Sequence, residues 1–238
     1  IDTSFNPGIK KNLMDFYGIE EDDNEGLLQK IDVDFRRAGA PYIGPRLHEE
    51  PDDPGFRVSP DWGMQTKYMK HGTGGYWEPW PRMKGDLTLE EAKAFPLPSP
   101  DDYNYDAVKQ TCEAQSDFAV SIRAGFEVMN STSRFIGDEA MYVGLMTGDQ
   151  GFLTFVKRFT EIKLEIVKRT LAAAEGGIDF LWIGEDLGSQ RGPRISMELF
   201  RERIRPVHQP FIDEAKKYDL PVMIHSCGSS SWAFEEFI

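Results

Sequence analysis

Residues 178–190, IDFLWIGEDLGSQ, decide the fold of this chain, because a short apolar run stops at two acidic residues and a glycine. An apolar run of this length is typical of a strand buried in a parallel sheet, and the polar residues mark where the strand leaves the core. Residues 220–228, LPVMIHSCG, follow the same pattern and end at His225 and Cys227. We therefore expect two parallel strands whose carboxyl ends both carry polar side chains.

The segment between these two runs predicts a connecting helix. Ser196 is the expected N-cap, and the helix runs to about Lys217, with Pro206 and Pro210 kinking or splitting it. A strand, helix, strand unit indicates a parallel α/β sheet or barrel. In both architectures ligands bind at the carboxyl ends of the strands.

Two further helices are predicted upstream. A long helix begins at about Asp149, carries an apolar stripe and stops at Gly176-Gly177. Thr88 and Glu91 have the spacing of a capping box, which predicts a short helix that starts after Thr88.

The remaining segments are less regular. Residues 105–130 show a helical rhythm of apolar positions, so we expect one helix there, and residues 134–140, RFIGDEA, are expected to form a strand and a turn. Residues 41–101 are rich in proline, glycine and aromatic residues and predict a long excursion with short β-like pieces such as Tyr76-Trp77.

Composition limits the classes of partner. The chain has 238 residues, with 40 acidic and 27 basic side chains and a net charge of −13, which disfavours binding to nucleic acid or to an anionic membrane surface. Its apolar runs are far shorter than the roughly 18 residues needed to cross a bilayer. Two cysteines are too few for a disulfide framework. We expect a cytoplasmic protein with a small-molecule or protein partner.

The chemistry is expected where the two strands end. His225 and Cys227 project to the same side of an extended strand, and imidazole and thiolate are ligands that zinc prefers. The alternative is a histidine bonded to backbone beside a small buried cysteine. Glu185 and Asp186 end the neighbouring strand, where a carboxylate can ligate a metal, act as a general base or bind substrate. The alternative is that they satisfy loop amides.

Other candidate residues have weaker patterns. Arg191 and Arg194 follow the acidic pair and are placed to clamp a carboxylate, although loop arginines are usually solvated. Trp77 and its aromatic neighbours either wall a pocket or pack the excursion against the body of the domain. The sequence assigns no role to the histidines at 48, 71 and 208.

Residues 176–230 resemble the central part of the uroporphyrinogen decarboxylase superfamily, and more closely its corrinoid-dependent methyltransferase branch, which includes coenzyme M methyltransferases and O- or N-demethylase-like proteins. The resemblance is carried by EDLGSQ (residues 185–190), by I-S-x-E-x-F-R-E (residues 195–202) and by HSCG (residues 225–228). It extends more loosely through IDVDFRRAGAPYIGP (residues 31–45), and through DWGM, GGYWEP and FPLPSPDDY.

The resemblance implies a (β/α)8 TIM barrel in which residues 1–238 form a single, partial domain. Family members continue well beyond the position of Cys227, so we expect a barrel that is incomplete at its C-terminus, with at most five of the eight strands. The active site is expected at the carboxyl ends of the strands, and a homodimer is compatible with the fold.

The implied activity is transfer of a methyl group between a small methylated substrate or thiol and a corrinoid carried by a partner protein. Zinc is the implied cofactor, held by His225, Cys227 and a distant cysteine that we expect to lie beyond Ile238. Glu185 and Asp186 are the expected catalytic residues. Substrate binding is expected at three further side chains, Gln190, Arg194 and Trp77.

Two alternatives stay open. A decarboxylase (carboxy-lyase) acting on a tetrapyrrole would need cationic residues in its pocket, and the candidates are Arg36, Arg37 and Arg194. A non-catalytic binding module on the same fold is the other alternative. It is favoured if His225 and Cys227 do not converge within metal-bonding distance.

Overall fold

The computed structural model describes residues 7–72, 74–83, 85, 87–124 and 126–237. The strands are β1 (Phe35–Arg37), β2 (Phe56–Val58), β3 (Gln65–His71), β4 (Gly74–Pro79), β5 (Ala119–Arg123), β6 (Phe180–Gly184) and β7 (Val222–His225). The helices are α1 (Pro7–Tyr17), α2 (Asn24–Lys30), α3 (Leu89–Ala94), α4 (Asp106–Ala114), α5 (Val128–Ile136), α6 (Asp138–Thr147), α7 (Gln150–Ala173), α8 (Met197–Leu199) and α9 (Arg205–Lys216). Short 3-10 turns lie at Pro100–Asp102 and Ser231–Phe237.

A four-stranded parallel sheet in the order β1-β5-β6-β7 forms the centre of the fold. Its strands pair in parallel, and the β6 to β7 register places Gly184 opposite His225. The predicted strand, helix, strand unit is confirmed, because α8 and α9 connect β6 to β7. The chain is therefore an α/β protein, and the described part contains four parallel strands.

The two faces of this sheet have different surroundings because successive side chains of a strand point to opposite sides. Val120, Ile122, Leu181 and Ile183 are buried against a layer formed by α4, α7 and α9. The alternate residues, which include Arg123 of β5 and Trp182 of β6, face a broad cavity instead. We call these the covered face and the open face.

The excursion over residues 41–101 contains a second sheet, in which β2, β3 and β4 pair antiparallel. Tyr76 and Trp77 lie in β4, so the predicted β piece is confirmed. The excursion returns to the body of the protein through α3, and Phe95 after that helix packs edge-on against Phe155 of α7. Aromatic packing of this kind anchors the excursion to the body of the protein.

Helix ends follow the capping signals. Thr88 accepts a hydrogen bond from Glu91 N while Glu91 reaches back to Thr88 N, so the predicted capping box is confirmed. Asp149 caps α7 through Phe152 N. Ser196 caps α8 through Leu199 N. A π-helical turn at Phe200–Ile204 then separates α8 from α9, whose second residue is the predicted Pro206.

Two predictions of secondary structure are wrong. Residues 105–130 are not one helix, because α4 ends at Ala114 and β5 follows. Ile122 falls four residues after Phe118 and four before Phe126, which fits a helical repeat, so the two-residue alternation of the strand was hidden. Residues 134–140 are helical and not a strand with a turn. Gly137, with φ of +89°, separates α5 from α6.

Among the helices of the described ranges, none combines the length and the apolar composition that crossing a membrane requires.

Candidate metal centre and adjoining trough

The carboxyl ends of β6 and β7 are held together by the loops that follow them. Cys227 N donates a hydrogen bond to Asp186 Oδ1 (2.8 Å), and Leu187 N donates to Ser226 Oγ (2.9 Å). The backbones at Gly188 and Gly228 touch, so that a Cβ on either glycine would clash with the other loop. Gly228 also has a φ of +71°, which favours glycine. These contacts fix Asp186 and Cys227 at one edge of the sheet.

Three metal-ligating side chains converge at this edge. His225 Nε2 lies 3.4 Å from Cys227 Sγ and 3.5 Å from Asp186 Oδ1, and the three donor atoms lie within 4.8 Å of one another. Zinc bonds of about 2.0–2.3 Å in a tetrahedron give donor separations of roughly 3.3–3.6 Å. The donor types and the spacing therefore fit a zinc ion, and we call these residues the donor cluster.

The hydrogen bonds within the donor cluster set its charges. Burial raises the pKa of Asp186, but hydrogen bonds from Cys227 and Asn130 outweigh burial and lower it below its usual value. The same contact with Asp186, followed by burial, raises the pKa of the Cys227 thiol. The protein without metal thus pairs an ionised carboxylate with a protonated thiol. A divalent cation reverses this preference, because it favours the thiolate.

Glu185 and Asp186 are adjacent in sequence, but the structure separates them. Glu185 is 0% exposed and accepts hydrogen bonds from Val128 N (2.6 Å) and Met129 N (3.0 Å) at the start of α5. It also lies 3.0 Å from His208 Nε2. These contacts engage the Glu185 carboxylate on the covered side of the sheet, away from the donor cluster.

His208 is a buried residue to which the sequence assigned no role. It belongs to α9 and lies in the buried stripe that includes Ile204 and Phe211, four residues before it and three after it. That spacing was a signal that the histidine points inward. Its partner, Glu185, is 23 positions away and was not indicated by any pattern in the sequence.

The remaining predicted site residues lie apart from the donor atoms. Arg194 supports the loop, since its guanidinium donates to Tyr142 Oη (2.8 Å) and to the backbone oxygen of Asp186 (3.2 Å). Gln190 is exposed in the same loop. Trp77 lies in the antiparallel sheet, with the Arg57 guanidinium 3.8 Å from its ring centroid.

A trough of about 930 Å³ runs across the open face and reaches the donor cluster at Asp186 and His225. This volume is within the range of small-molecule sites. The His225 ring stacks on Trp182 with a centroid distance of 5.7 Å, and the Arg123 guanidinium lies 4.5 Å from the same indole centroid. The trough is thus an aromatic and cationic surface that leads to the metal-ligating side chains.

Comparisons with known proteins give no family for this chain. A scan against protein-family models found no match, and a search of curated proteins found none either. The functional assignment therefore depends on the chemistry of the donor cluster and of the trough.

Proposed function

We propose that the chain is a zinc-dependent methyltransferase that moves a methyl group between a small methylated substrate or thiol and a corrinoid carried by a partner protein. The observation that carries this proposal is the convergence of Asp186, His225 and Cys227 at the end of a trough large enough for a small molecule. The resemblance of residues 176–230 to corrinoid-dependent methyltransferases supports the same chemistry. Convergence of His225 and Cys227 also disfavours the non-catalytic binding module.

The donor cluster fits a catalytic type of site, because three protein ligands leave one position for substrate. Asp186 replaces the distant cysteine as the candidate third ligand. When bound, zinc lowers the pKa of a thiol or polarises a substrate heteroatom, which activates the nucleophile or leaving group near neutral pH.

The chain's own residues have distinct tasks in this proposal. The hydrogen bond from Cys227 N holds Asp186 in place, and stacking on Trp182 orients the His225 ring. Trp182 and Met223 form an apolar wall that limits water around the reacting methyl group. In the transfer, the methyl carbon exchanges its bond to the substrate heteroatom for a bond to the acceptor, and the heteroatom takes up a proton.

The proposal is tested by methyl transfer to cob(I)alamin from a panel of O-methyl and N-methyl compounds, with zinc content measured on the same samples. We expect transfer from at least one donor and its loss in His225→Ala and Cys227→Ser. Cys112→Ala is the matched control, because Cys112 is the other of the two cysteines and is buried in α4. Absence of transfer from every donor and to every thiol contradicts the proposal.

Decarboxylation of a tetrapyrrole is the second candidate, and the arginines of the trough favour it. Arg37 and Arg134 line the trough and offer cationic groups for substrate carboxylates, whereas Arg123 pairs with Glu127 at 2.6 Å. Arg36 is less suited, because it is 3% exposed and pairs with Glu25 at 2.7 Å. Binding of uroporphyrinogen or a product porphyrin, together with absence of methyl transfer, favours this candidate. Failure to bind either tetrapyrrole removes it.

A further inference from the structure

Arg134 of α5 is a cation without a protein partner in the described part of the chain. It is partly buried and lines the trough. Two other arginines of the trough are paired, since Arg36 lies 2.7 Å from Glu25 and Arg123 lies 2.6 Å from Glu127. In a chain with an excess of 13 acidic charges, an arginine that lines a cavity and pairs with no carboxylate of the described residues is unexpected. Its five donors are available to an anion that enters the trough.

The position of Arg134 relates it to the donor cluster. Asn130 precedes Arg134 by four residues, so both side chains lie on the same side of α5, about 6 Å apart along the helix axis. Asn130 also lines the trough and hydrogen-bonds the Asp186 side chain. An anion bound at Arg134 therefore leaves room for the body of a small molecule to extend toward the donor cluster.

The lining of the trough selects the kind of anion. Trp182 and Met223 lie opposite each other on β6 and β7, beside His225, and favour an apolar or planar molecule. Glu127 and Asp186 line the same trough and repel a doubly charged group. A carboxylate fits better than a phosphate, because it carries only one negative charge and, like a phosphate, matches the guanidinium fork with two parallel hydrogen bonds.

From these observations we propose that Arg134 forms an anion subsite that binds the carboxylate of a small organic acid, with the apolar body of the acid lying over Trp182 toward the donor cluster. This subsite defines the substrate class of the methyltransferase and rests on that proposed function for the role of the bound acid. Binding of the carboxylate itself requires no metal.

The test uses phenylacetate and its neutral analogue phenylacetamide, with binding to the full chain measured by saturation-transfer NMR after metal has been removed with a chelator and the chelator has been dialysed away. We expect the wild-type protein to bind phenylacetate about tenfold more tightly than phenylacetamide. Arg134→Met should lower phenylacetate affinity to that of the amide, and Arg134→Lys should retain part of the difference. Arg46→Met is the matched control, because Arg46 is exposed, pairs with Glu50 and does not line the trough.

Equal binding of the two compounds by the wild-type protein overturns the subsite even if Arg134→Met fails to fold. Unchanged phenylacetate affinity in a folded Arg134→Met protein also overturns it. If inorganic phosphate displaces phenylacetate at a lower concentration than acetate does, the choice of a carboxylate as the ligand is overturned. Because these measurements are made without metal, their failure is distinguishable from failure of zinc binding or methyl transfer.

Discussion

The two faces of the parallel sheet are built from the same strands but have opposite chemistry. On the covered face, Leu181 and Ile183 are fully buried against the helices. On the open face, Trp182 and Met223 line a trough and lead to His225. Parallel sheets are usually covered on both faces, so an uncovered face with arginines, aromatic rings and metal-ligating groups is the part of the molecule suited to binding.

Glu185 and Asp186 show how this difference divides neighbouring residues. Because side chains alternate along β6, Glu185 lies on the side of Leu181 and Ile183. There it accepts hydrogen bonds from the first two backbone amides of α5 and contacts His208. Asp186 goes to the other side and joins His225. A helix N-terminus is a favourable place for a buried carboxylate. Glu185 therefore stabilises the fold, whereas Asp186 belongs to the donor cluster.

We expect the two carboxylates to differ strongly in their contribution to the free energy of unfolding. Glu185→Ala leaves two amides of α5 and His208 without their acceptor in a buried place, so we expect a loss of about 3–5 kcal/mol in the free energy of unfolding. Asp186→Ala, on the open side, should cost less than about 1.5 kcal/mol. Chemical denaturation measures both. Equal losses would contradict the separate roles of the two carboxylates.

The next prediction compares one apolar residue from each face. Leu181→Ala creates a cavity in the covered core and should lower the free energy of unfolding by about 2–5 kcal/mol. Met223 is 42% exposed on the open face, and Met223→Ala should cost less than about 1 kcal/mol. Urea unfolding of the two variants gives the comparison. A larger loss for Met223→Ala would show that the open face is a packed core in solution.

A smaller free-energy change is expected for the donor cluster. Cys227→Ser replaces the sulfur ligand and should weaken zinc binding about 100-fold, which is about 2.7 kcal/mol. Its free energy of unfolding without metal should stay within about 1 kcal/mol of wild type, because Cys227 is exposed. Competition with a zinc chelator measures the affinity. Unchanged affinity in Cys227→Ser would remove the thiol from the site.

The last prediction concerns Lys163 of α7, whose ammonium lies 4.1 Å from the Trp62 ring centroid. Burial lowers the pKa of Lys163 to about 8. The unfolded chain then binds more protons than the folded chain between pH 8 and the ordinary lysine pKa of about 10.4, so this residue makes stability rise with pH across that window. Lys163→Met should flatten the rise in denaturation curves recorded from pH 7 to 10.5. An identical pH slope in the variant would contradict burial of the charge.

Local signals in the sequence were sufficient for the elements around the site. Capping residues such as Ser196 located the helix starts, and apolar runs that stop at polar residues located β6 and β7. The two-residue repeat of a strand predicted the convergence of His225 and Cys227, although β7 ends at His225 and the hydrogen bond from Cys227 N to Asp186 holds Cys227 in the loop. These features depend on neighbouring residues, so the sequence alone could predict them.

Long-range features could not be predicted in the same way. The third donor required the register that sets Gly184 opposite His225, since only that register places Asp186 beside the imidazole. The contact between Glu185 and His208 depends on how α9 packs beneath the sheet. Arg134 reaches the trough only because residues 119–123 form a strand and α5 begins after it, where the sequence predicted a single helix.

Cobalt(II) substitution of the full chain, followed by optical spectroscopy, tests the metal centre itself. We expect one cobalt ion per chain with a thiolate-to-cobalt charge-transfer band, which persists in Cys112→Ala and disappears in Cys227→Ser. Absence of the band from the wild-type protein, or its persistence in Cys227→Ser, would contradict a metal centre at Asp186, His225 and Cys227.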